Sequence, residues 1–116
     1  MIWSFPKTFE KFMSDLIGII GKELRLKTLD QGRLNIFRVL RGEIQVKTEH
    51  SKGRFRPIPK EYFIRTYCYL LCQRQFYRKE LREPLQIFRT SAISSLVAQL
   101  PYINYSTKPI RLWIKN

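Results

Sequence analysis

An α+β fold is predicted by two hydrophobic periodicities and the order in which they occur. Near the N-terminus apolar residues recur at intervals of three and four, the spacing of one helix face. From Leu24 to Ile58 they alternate, as in antiparallel strands. After Pro59 helical spacing returns, and past Pro101 it gives way to a second alternation. The predicted architecture is an amphipathic N-terminal helix, an antiparallel β-meander, and a C-terminal half of helices closed by a hairpin. The 116 residues, 44% hydrophobic and 14% aromatic, suit one compact unit with two regions, 1–59 and 60–116, sharing a core.

The first helix follows Pro6 and Thr8, with Phe9, Phe12, Met13, Leu16, Ile17 and Ile20 as its apolar stripe, and it ends near Gly21 and Lys22. Glu10 and Asp15 interrupt the apolar run, so the segment reads as an amphipathic helix and not as an export signal. Strands are expected at LRLKTL (24–29), RLNIFRVL (33–40) and EIQVKT (43–48), with turns at Asp30-Gln31-Gly32 and Arg41-Gly42. The second is a two-residue, glycine-containing hairpin loop. A polar loop (49–53) leads to a short edge strand, RFRPI (54–58), limited by Pro57 and Pro59. The apolar face of the meander is expected to hold Leu34, Ile36, Ile44 and Val46, and its other face Arg38 and Lys47.

Pro59 then opens a helix over 61–75, with Phe63, Ile64, Tyr67, Cys68, Leu70 and Leu71 inward. Cys68 and Cys72 are expected to be buried thiols acting as small apolar residues. A short helix over 77–84 ends at Pro84. Thr90 is a good N-cap for a further helix, RTSAISSLVAQL, which Pro101 stops. Residues 102–105 and 110–114 are strand, joined by the turn Ser106 to Pro109.

Helix, short helix, helix and β-hairpin over 60–115 is an order that resembles a winged helix-turn-helix domain. That resemblance covers about half the chain and implies that the last helix enters a DNA major groove while the hairpin lies on the backbone. It rests on element order and spacing, and the segment before the last helix, EPLQIF, is longer than a tight turn. Within this frame Ala92, Ile93, Leu96, Val97 and Leu100 pack inward, and Ser91, Ser94, Ser95 and Gln99 face out, where serine and glutamine can bond base edges. Arg89 precedes the helix, and Lys108 and Arg111 sit on the hairpin. Trp113 is expected to tie the chain end to the core.

The net charge is +13, from 22 lysines and arginines against 9 acids, which points to a polyanionic partner. QRQFYRKELR (73–82) sets Arg74, Arg78, Lys79 and Arg82 among Phe76 and Tyr77, a pattern that suits phosphate contact with some stacking. Non-catalytic nucleic-acid binding follows, duplex DNA ahead of RNA, with a protein-interaction or assembly module as the alternative. The N-terminal helix is a candidate homodimer surface. Asp30, Glu43, Gln45 and Lys47 loosely resemble a metal-dependent nuclease set, but the spacing of acid to lysine is wrong. One histidine, His50, and two cysteines cannot make a four-ligand zinc site, and the five glycines form no phosphate cradle, so no cofactor is expected. No apolar run reaches the ~20 residues of a membrane span. A cytoplasmic protein is the default expectation.

Overall fold

The computed structural model describes residues 4–29, 32–48, 53–83, 85–87 and 90–115. The turn expected at Asp30-Gln31, the loop residues 49–52 with His50, and Arg89 lie outside them.

Helix α1 (Phe9–Ile20) starts where Thr8 accepts a hydrogen bond from the Lys11 backbone N–H at 3.2 Å, and ends where Gly21 takes a positive φ and donates back to Ile17 at 3.0 Å. Its stripe is used inside the chain. Phe12, Leu16 and Ile20 are buried, and α1 packs on strand β2 (Leu34–Leu40) and helix α2 (Lys60–Gln73). Phe5, Phe12, Tyr67 and Tyr102 cluster around its start, and the Tyr67 hydroxyl donates to the Pro6 carbonyl at 2.8 Å.

The meander is a four-stranded antiparallel sheet in sequence order: β1 (Leu24–Lys27), β2, β3 (Glu43–Lys47) and β4 (Arg56–Pro57). Arg41 and Gly42 join β2 to β3 with φ of 53° and 76°. Both values are positive, as a primed two-residue turn requires, and that turn fixes the register in which Leu40 faces Glu43. The register corrects one expectation. Asn35 and Phe37 are buried with Ile44 and Val46, whereas Leu34 is exposed and Ile36 lies on the opposite face beside Lys47. Phe37 pairs with Val46 and Val39 with Ile44, so the buried faces of the two strands coincide.

In the second half α2 is followed by β5 (Gln75–Tyr77), α3 (Arg78–Arg82), α4 (Thr90–Val97), β6 (Ile103–Thr107) and β7 (Ile110–Ile114). β5 joins the hairpin in a three-stranded antiparallel sheet of order β5-β7-β6. Arg74 caps α2 in the left-handed region, φ 66°, and donates to Leu70 at 2.8 Å, which turns the chain directly into β5. Two expectations for α2 are corrected. Cys68 and Cys72 are exposed, and Ile64 and Leu71 are 38% and 45% exposed. Phe63, Tyr67 and Leu70 are buried as expected, joined by Thr66, whose hydroxyl donates to the Tyr62 carbonyl at 2.8 Å. A single apolar cluster joins α1, both sheets, α2, α3 and α4. No helix of the described residues is long and apolar enough to cross a membrane.

Candidate nucleic-acid interface

Helix α4 does not present the serine face that its sequence suggests. Every residue from Ala92 to Ala98 is buried, because α4 packs against both α3 and β1. Ser94 and Ser95, expected to face outward, are each 1% exposed and cannot line a groove. The Ser95 hydroxyl donates to the Ala92 carbonyl at 2.8 Å. The Ser94 hydroxyl finds no partner among the described residues. Only the ends of α4 remain open: Thr90 and Ser91 at its start, half-buried, and Gln99 just beyond its end, exposed. Thr90 is the first helical residue, and Gln99 donates to the Ser95 carbonyl at 3.4 Å.

The start of α4 meets the cations of α3. Arg78, Lys79, Arg82, Glu83, Thr90 and Ser91 line one groove of about 480 Å³. Arg78 Nη1 donates to Ser91 Oγ at 3.4 Å across it. Three cations against one carboxylate make this groove positive. The other nearby acid, Glu80, is directed elsewhere. It accepts from the Tyr77 backbone N–H at 2.9 Å and from the Tyr69 hydroxyl, closing the first turn of α3. That hydrogen bond, followed by burial, raises the pKa of Tyr69 above its ordinary value. Arg78 and Lys79 also line a second hollow, with Tyr77, Pro109 and Ile110, so the positive surface continues from α3 to the hairpin turn that carries Lys108.

A third hollow, of about 270 Å³, lies at the other end of the sheet between Gln73, Arg74, Gln75, Arg111, Trp113 and Ile114. Arg111 Nε donates to Gln75 Oε1 at 2.6 Å, and its guanidinium carbon lies 4.6 Å from the centre of the Trp113 ring. Trp113 was expected to pack into the core; Leu112 does so, and Trp113 is half-buried on the outer face. Strand parity carried that signal, because Arg111 and Trp113 must share a face. Of the predicted cations, Arg74 and Arg111 thus line one hollow, and Arg78, Lys79 and Arg82 line the groove beside α4. Sequence reasoning named Tyr77 among these cations but missed Thr90 and Gln75 as members of the surface.

Glu43, Gln45 and Lys47 do share the outer face of β3, but in a structural network. Gln45 Nε2 donates to Glu43 at 3.3 Å, Arg38 Nε donates to Gln45 at 2.7 Å, and Arg38 and Lys47 lie over Phe55 at 3.9 and 5.0 Å. Among the described residues no three of His, Cys, Asp and Glu come together as metal ligands. In comparisons with family models, curated proteins and solved structures, nothing matches the chain.

Proposed function

We propose that this protein binds nucleic acid without catalysis, gripping phosphates in the groove between α3 and the start of α4 and along the adjoining hairpin. The observation that carries the proposal is the convergence of Arg78, Lys79 and Arg82 with Ser91 in one groove of a chain with net charge +13. Guanidinium and ammonium groups beside hydroxyls suit phosphate oxygens. The order α2, β5, α3, α4, β6, β7 supports a winged-helix-like reading of the second half, with duplex DNA as its ligand. With the middle of α4 buried, contacts fall on backbone phosphates and not on base edges, so affinity should depend little on sequence.

The experiment is a fluorescence-anisotropy titration of duplex DNA and of structured RNA at low salt. The Arg78→Gln, Lys79→Gln, Arg82→Gln variant should bind at least tenfold more weakly while remaining folded. Equal affinity in the folded variant rejects the groove. A second reading, an assembly module, is favoured by α2, where Ile64, Cys68, Leu71 and Cys72 are all exposed at the spacing of one helix face. Concentration-dependent light scattering tests it.

A further inference from the structure

The three-stranded sheet has a buried face and an outer face of a different chemical character. Phe76, Ile103, Ile110, Leu112 and Ile114 go to the core. Alternation places Gln75 and Tyr77 of β5, Arg111 and Trp113 of β7, and Asn104 and Ser106 of β6 on the other side, and all six are half-buried. The register puts Gln75 and Asn104 on either side of Trp113, and Tyr77 and Ser106 on either side of Arg111. None of the six is acidic. Two hollows lined in part by residues of this face hold one aromatic ring each, and neither is lined by a carboxylate. Trp113 sits with Arg74 and Arg111, and Tyr77 sits with Arg78 and Lys79, whose Nζ lies 5.9 Å from the Tyr77 ring centre.

An outer sheet face of this kind has no packing use for two large rings flanked by cations. It does match one ligand chemistry. Unpaired bases stack on aromatic rings and on arginine planes while cations track the backbone between them. Arg111 is already held for this role, anchored by Gln75 and placed over Trp113. Trp113 and Tyr77 are diagonal neighbours across β7 and β5. Such neighbours lie about 7–8 Å apart. That separation suits successive bases of an extended single strand, and is roughly twice the ~3.4 Å rise of a duplex strand. Arg74 occupies a left-handed backbone position that glycine would adopt at lower conformational cost, yet its side chain lines the first hollow.

We propose that this outer face is a stacking platform for the unpaired bases of single-stranded nucleic acid. Trp113 with Arg111, and Tyr77, are its two stacking positions; Arg74, Arg78 and Lys79 contact the flanking phosphates. The proposal rests on the nucleic-acid reading of the neighbouring groove and adds to it a second form of ligand beside duplex DNA, a strand whose bases are free.

The test uses the full chain with Trp3→Phe, which leaves Trp113 as its sole tryptophan. Two probes are titrated at low salt: a twelve-residue thymidine strand and an abasic strand with the same number of phosphates. The thymidine strand should bind about tenfold or more tighter, as stacking on two positions requires. It alone should quench the Trp113 fluorescence. Trp113→Ala should bring the thymidine strand close to the affinity of the abasic strand and leave the latter unchanged, while Trp113→Phe keeps most of the difference. Tyr77→Leu gives the same comparison if Trp113→Ala does not fold. Equal affinity of the parent chain for the two strands overturns the platform and leaves the groove standing. Failure to bind either strand or duplex DNA overturns both.

Discussion

Replacing Ser94 by alanine should make this protein more stable, and the reason lies in one oxygen atom. Ser94 is 1% exposed in the middle of α4 and its hydroxyl has no hydrogen-bond partner among the described residues. Burying a hydroxyl without a partner costs about 1–3 kcal/mol on mutational scales. Alanine removes the oxygen, keeps the Cβ, and is also the better helix former by a few tenths of a kcal/mol. The small void left behind returns part of the gain, at ~24 cal/mol per Å³. The net expectation is a stabilisation of about 1–2 kcal/mol, or roughly 4–10 °C in Tm for a domain of this size. Ser95→Ala is the control in the next position. It removes the 2.8 Å bond to the Ala92 carbonyl and should destabilise by about 0.5–1 kcal/mol. Thermal unfolding followed by circular dichroism measures both. If the two serines faced water, each substitution would change stability by less than ~0.5 kcal/mol. A Ser94→Ala protein no more stable than the parent refutes the placement of this hydroxyl.

Three further outcomes follow from buried and exposed groups elsewhere. Ser94→Glu should unfold the chain or lower its Tm sharply, because it forces a carboxylate into a position with no partner, so it is no probe of binding; a well-folded variant contradicts this. Cys68 and Cys72 are exposed, so a native-state thiol titration should modify two thiols per chain at the rate seen in denaturant, and fewer than two contradicts the outward face of α2. The Tyr102 hydroxyl donates to Asp15 Oδ2 at 2.9 Å, and burial, reinforced by that carboxylate, raises its pKa far above the ordinary tyrosine range. The folded chain thus holds this proton more tightly than the unfolded chain, so its contribution is complete below a pH of about 10 and declines as pH rises beyond it, by up to ~1.4 kcal/mol per pH unit. Urea unfolding from pH 8 to 11.5 should show that decline, reduced in Tyr102→Phe; an equal slope in the variant contradicts the assignment.

Local signals were legible in the sequence where one rule governed. Arg41-Gly42 could only be a tight turn between two alternating strands, and the stripe from Phe9 to Ile20 could only be one helix face. Signals failed where polarity and burial part company. Serine is small enough to enter a core when its hydroxyl bonds back along its own helix, as Ser95 does, so TSAISSLV reads as amphipathic although every residue from Ala92 to Val97 is buried. LNIFRVL offers apolar residues in both parities, and the choice of Phe37 and Val39 over Leu34 and Ile36 is made by the partner strand. β5 has three residues, and its partner β7 lies more than thirty positions further on. No local pattern could reveal it, and with it the surface that gathers Tyr77, Arg111 and Trp113. The cations of that surface were visible as a cluster in QRQFYRKELR; their meeting with Thr90 and Ser91 was not.

The most direct test of the account is the salt dependence of nucleic-acid binding. Log affinity for duplex DNA, plotted against log salt, should fall linearly with a slope of about −0.9 for each phosphate contact. The Arg78→Gln, Lys79→Gln, Arg82→Gln variant should lose about 2–3 from the magnitude of that slope, one contact for each cation removed from the groove. The account predicts a steep parent slope and a shallower variant slope in two equally folded proteins. No binding at low salt, or the same slope in both, contradicts it.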